Sequence, residues 1–93
     1  MSEKIDVQAM GPHEFSVDVT EGTTKTSHRV TVPEDLLVDL GAPDTDEERL
    51  VHESFSFLLE KEKSTTILPE FPLDEIQNYF SDYMDAMRTR LDG

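Results

Sequence analysis

The chain has 93 residues, 21 of them Asp or Glu against 8 Lys or Arg, a formal net charge of -13, and no cysteine. That length holds one cored unit rather than two, and the missing cysteine excludes disulfides, thiolate metal sites and a cysteine nucleophile. The negative charge repels phosphate at long range, which makes nucleic-acid backbones and anionic membranes poor partners.

Residues 1–12 read as a flexible arm or an edge strand: Ile5, Val7 and Ala9 alternate before Gly11-Pro12 interrupts the chain. Residues 13–91 form a single expected α+β domain. Phe15, Val17 and Val19 alternate with polar residues, as do His28, Val30 and Val32, on either side of Glu21-Gly22-Thr23-Thr24. Period-two alternation around a glycine turn predicts an antiparallel β-hairpin, and residues 4–9 can extend it to a three-stranded sheet. Centring the turn on Gly22-Thr23 pairs Phe15 with Val30, Val17 with His28 and His13 with Val32. A one-residue slip would put the valines in water.

Pro33 and Gly41 bracket a predicted short helix carrying Leu36, Leu37 and Leu40. Asp44, with Glu47 three residues on, predicts the start of a long second helix in a near-capping-box arrangement. Leu50, Val51, Ser54, Phe55, Leu58 and Leu59 fall on its broad buried face, and it should end near Glu62 or Lys63. Residues 64–72 contain two prolines and read as an extended connector pinned by Ile67, Leu68 and Phe71. Residues 73–91 predict one continuous helix, because Leu73, Ile76, Phe80, Tyr83, Met84, Met87 and Leu91 share a stripe of period 3.6. The expected architecture is thus a hairpin, or three-stranded sheet, against two long helices and one short one.

Chemistry is hard to find in this pattern. His13 and His28 share a hairpin face but lie four residues out of register, more than ~10 Å apart at ~3.3 Å per residue, too far for one metal. His52 begins His-Glu-Ser-Phe-Ser, and a zinc-protease helix would need histidine where Ser56 stands. Counting a calcium loop from Asp44 places Arg49 and Phe55 where glycine and glutamate are required. The acidic run Asp44, Asp46, Glu47, Glu48 is better read as a complement to a helix dipole. The glycines at 11, 22, 41 and 93 are isolated, so no phosphate loop is formed. A small chain spending its apolar residues on one thin core has little room for a ligand pocket of ~300 Å³ or more. No catalytic, cofactor-binding or metal-binding residue is assigned, and the expectation is a protein that is not an enzyme.

Two resemblances are carried by particular residues. Residues 27–37, Ser-His-Arg-Val-Thr-Val-Pro-Glu-Asp-Leu-Leu, followed by a glycine turn and a helix, resemble a ribbon-helix-helix repressor or antitoxin. That fold grips DNA with paired strands and docks its second helix N-terminus on phosphate; here that terminus is Asp44-Thr45-Asp46-Glu47-Glu48, which repels phosphate. Residues 54–62 (Ser-Phe-Ser-Phe-Leu-Leu-Glu-Lys-Glu), then Ile67-Leu68, Phe71-Pro72-Leu73, Ile76 and Tyr79-Phe80, resemble a family of small uncharacterised bacterial proteins, a likeness that implies no activity.

What remains is interaction. Phe57 sits at the margin of the second helix's apolar stripe, and Tyr79 flanks that of the last helix. Together they are the candidate partner surface, an apolar spot ringed by charge. The competing reading folds residues 64–72 over both, since a small domain rarely leaves phenylalanine in water. An outer strand with unpaired backbone groups also leaves a homodimer open. The charge fits solubility, salt adaptation or a docking face for a basic protein partner. No apolar run approaches the ~18–20 residues of a membrane span, and with no apolar segment after Met1-Ser2-Glu3-Lys4 a signal peptide is not expected. The working expectation is a cytoplasmic, non-enzymatic protein-interaction module or small regulatory accessory. A ribbon-helix-helix-like regulator and a small metal-dependent hydrolase are the alternatives.

Overall fold

Tight turns decide the first third of the molecule. The computed structural model describes residues 3–92, in which β1 (Glu3–Gly11), β2 (Glu14–Glu21) and β3 (Thr24–Thr31) form an antiparallel meander. The β2–β3 turn is Gly22-Thr23, with Gly22 at φ 59° in the left-handed region that a two-residue hairpin turn demands. Phe15 faces Val30 and Val17 faces His28, the register that the apolar alternation predicts. Residues 4–9 lie within β1, so the arm is an edge strand, with Ile5 opposite Val19 and Val7 opposite Val17. Residues 1 and 2 of the expected arm lie outside the described residues.

The sheet has a fourth strand that the sequence reading takes as connector. Glu70–Pro72 (β4) pairs with β3 in parallel, Val30 against Phe71, giving a mixed sheet in the order β1-β2-β3-β4. Three residues bounded by Pro69 and Pro72 carry no alternation of their own, and their partner lies some 40 residues upstream. Only tertiary pairing reveals them.

The helices are shorter and more broken than their periodicity suggests. The predicted helix from Pro33 shrinks to α1 (Leu36–Asp39), because Pro33 opens a turn in which its carbonyl accepts the Leu36 N–H at 3.1 Å. Gly41, at φ 75°, ends it: Gly41 N–H donates to Val38 and Ala42 N–H to Leu37, both at 2.9 Å, the paired closure of a left-handed C-terminal cap. Residues 42–45 form a turn (Thr45 N–H to Ala42 O, 3.1 Å), so α2 (Glu47–Lys61) starts after Asp46 rather than at Asp44. Asp46 makes no side-chain cap bond, and the expected capping box does not form.

The continuous helix expected over 73–91 is interrupted. A one-turn 3-10 helix, Leu73–Glu75, runs into α3 (Ile76–Tyr79); Phe80 then leaves the helical region at φ -132°, ψ 99°, and α4 (Tyr83–Asp92) follows. Ser81-Asp82 are weak interior helix formers, and the break is fastened by packing. Phe80 meets the Phe57 ring edge-on, at 6.0 Å between centroids and 83° between planes.

One apolar cluster fills the space between sheet and helices. Val17, Val19 and Val30 from the strands meet Leu50, Val51 and Phe55 of α2, all fully buried, with Tyr83 and Met87 of α4 closing the far side. No helix among the described residues is long and apolar enough to cross a membrane.

Candidate functional site: an acidic-rimmed apolar groove

The segment between α2 and β4 is tied down at two points. Ser64 N–H donates to Glu21 Oε1 at 2.9 Å. Further along, the Nδ1–H of buried His28 donates to the Leu68 carbonyl at 2.8 Å, leaving Nε2 to accept the Thr26 hydroxyl at 2.9 Å. The His28 ring also lies 5.4 Å from that of Phe55, so it is held in one orientation. These ties place Ile67 and Phe71 in the core while Leu68 stays 44 % exposed.

Because the chain is held there, and because α3 stops at Tyr79, an open groove of about 390 Å³ is left between the connector, the last turn of α2 and α3. Leu58, Ile67, Phe71 and Ile76 line it, Leu68 and Tyr79 stand at its mouth, and Glu62 and Glu75 are its carboxylates. The expectation that this chain lacks room for a depression above ~300 Å³ is therefore corrected. A broken last helix leaves the apolar lining of the connector incompletely covered. Leu68 and Tyr79, the latter 64 % exposed, are two of the four large hydrophobic side chains most open to water among the described residues.

The groove offers little for bond-making chemistry. Thr66 donates to Glu62 at 2.6 Å, and its hydroxyl also lies 2.7 Å from the Lys63 carbonyl, so this lining hydroxyl is already engaged. No histidine, serine or lysine joins Glu62 and Glu75 among the described lining residues.

The two predicted surface aromatics part company. Tyr79 is where it was expected, on the exterior. Phe57 is a core residue at 2 % exposure, and it does not belong to an exposed patch. Phe80 and Tyr83 cover its ring, with centroids 6.0 and 5.7 Å away. The Lys61 ammonium and Arg90 guanidinium lie over its ring at 5.2 and 6.0 Å. Leu68, which sequence reasoning places as a pin for the connector, is instead the companion of Tyr79. The signal was present in that it follows Ile67 directly, and an extended chain sends successive side chains to opposite faces.

The remaining polar groups resolve into structure. His13, at φ 62° after Pro12, donates from Nδ1 to Glu47 at 2.6 Å and joins the first sheet turn to the start of α2. His52 is exposed on α2 beside a wide, polar cleft formed with β1. The three histidines are thus dispersed, and among the described residues no three His, Asp or Glu side chains converge as a ligand set. Ser54 and Tyr83 share a buried hydrogen bond of 2.7 Å, and burial above all pushes the Tyr83 phenol up to about 12. That pair sits in the core, and neither residue lines the groove.

No family model, curated protein or solved structure matches this chain.

Proposed function

We propose that this protein is a non-enzymatic interaction module, and that it seats an apolar segment of a partner protein in the groove at Leu68 and Tyr79. One observation carries the reading. The same depression that holds these two exposed side chains has an apolar floor, and among its described lining residues the acidic side chains are Glu62 and Glu75, with no lysine, arginine or histidine beside them. Interaction sites commonly pair an apolar centre with a polar rim, and a Tyr at the mouth supplies large, rigid contact area with few rotors to freeze.

The alternatives have less behind them. In the ribbon-helix-helix reading β3 would pair across a dimer, whereas here β3 is bonded to β2 on one side and β4 on the other. Its α2 would present Asp46, Glu47 and Glu48 to phosphate. A hydrolase reading would build on His52, whose cleft is also lined by Asp6, Asp46, Glu47 and Glu48 but by no second histidine among the described residues.

The reading is tested by selecting a random displayed 12-residue peptide library on the intact protein, then retesting the survivors against Leu68→Asp and Tyr79→Asp. Both positions are exposed, so these variants should remain folded by circular dichroism. Peptides that bind the native protein and lose at least tenfold in affinity for both variants support the module. Failure to enrich any peptide, or enrichment indifferent to both substitutions, rejects it.

A further inference from the structure

Resting on the reading above, the groove's surroundings narrow the chemistry of its occupant. The sheet edge beside it cannot take an added strand. β4 has three residues, and Pro72, whose backbone faces the open edge, lacks an N–H group, which leaves that edge the single N–H of Glu70. Extension of a ladder needs repeated donors along the edge, so a partner must be recognised here through side chains. A helix is the element that presents apolar side chains from one face without needing main-chain partners.

Charge then selects the kind of helix. Glu62 and Glu75 are the charged side chains among the described lining residues. Glu62 also caps α2, whose C-terminal end carries the negative pole of its dipole. The nearest basic side chain on that last turn, Lys61, is turned away to Asp82 at 3.1 Å and to the Phe57 ring. Around this stands a molecule of net charge -13, whose long-range field accelerates the approach of cations.

We infer that the groove takes one face of a basic amphipathic helix from a partner protein, with apolar side chains at i and i+3 or i+4 inside it and Lys or Arg over Glu62 and Glu75. Leu68 and Tyr79 grip the apolar face from opposite walls. Association is then fast at low salt and slows as salt screens the field.

The test uses three displayed libraries on the full-length protein: helix-patterned peptides with Lys/Arg flanks, the same pattern with Asp/Glu flanks, and alternating strand-patterned peptides with Lys/Arg flanks. Enrichment of the first class is expected, with binding weakened tenfold or more by Tyr79→Asp. The double variant Glu62→Gln, Glu75→Gln should reduce the association rate severalfold and flatten its salt dependence. Groove-dependent enrichment of the second or third class overturns the basic-helix inference while leaving the interaction module standing. An association rate unchanged in the double variant overturns the role given to the two carboxylates. Absence of groove-dependent binders in all three classes overturns both readings.

Discussion

Two buried hydroxyl-bearing residues show how differently a polar group can sit in one core. Ser54 Oγ meets the Tyr83 hydroxyl at 2.7 Å and lies 3.7 Å from the Met87 sulfur, so each group is answered. Tyr83→Phe leaves the Ser54 hydroxyl only the weak Met87 sulfur acceptor and should cost about 1–3 kcal/mol in denaturant unfolding. It should also remove a pH dependence. The phenol ionises near 10 in the unfolded chain and about 12 in the folded one, so its contribution is complete below pH 10. That contribution falls as pH rises through the folded value, by up to roughly 3 kcal/mol. Unfolding curves collected between pH 9 and 12 should therefore slope less in the phenylalanine variant. Ser64 is the opposite case: its Oγ is fully buried with no hydrogen-bond partner, while its N–H is satisfied by Glu21. Ser64→Ala deletes only the unmatched hydroxyl and should leave stability unchanged or raise it by about 1 kcal/mol. A loss greater than that would reveal a partner for the hydroxyl in solution.

The elements differ in how much of them local sequence contains. The β2–β3 hairpin is fully legible, because strict alternation and a glycine turn fix both faces and register at once. Helix α2 is legible along its length and end, but its start shifts to Glu47 because residues 42–45 are used up in a turn that no periodicity announces. β4 and the break at Phe80 are invisible locally. The one depends on β3, and the other on Phe57 and Tyr83, so in both a distant contact outweighs local preference. The candidate site inherits this gap. Tyr79 is recognisable from its place beside a helical stripe, but the hollow it borders exists only because α3 stops and the connector is tethered. His28 makes the second tether, and His28→Ala would leave the Leu68 carbonyl and the Thr26 hydroxyl without it, a cost of about 2–3 kcal/mol. Hydrogen exchange should accelerate first at Ile67 and Arg29, whose amides bond to Ser64 and Pro69. Equal acceleration across β2 would instead mean global unfolding.

For the whole molecule the governing quantity is charge. A net -13 on a body with a radius of gyration of 12.4 Å places most carboxylates within one or two screening lengths of each other at ~0.1 M salt. Ion pairs such as Arg90 with Glu60 at 2.7 Å and with Glu53 at 3.5 Å offset only part of this repulsion. The midpoint of thermal unfolding should rise by several degrees between about 10 mM and 0.5 M NaCl as self-repulsion is screened. KCl should match NaCl, and a flat profile would show that the local pairs already balance the excess.

The parallel seam between β3 and β4 has a kinetic corollary. Neighbouring strands of the meander zip together across two-residue turns, whereas the His28–Leu68 bond must close a span of 40 residues. Closing long spans is the slow, entropically expensive part of assembly. The groove's outer wall should consequently arrive last during folding and open first under stress. A ligand lodged there would act as a latch, lending its binding energy to the least secure closure in the chain.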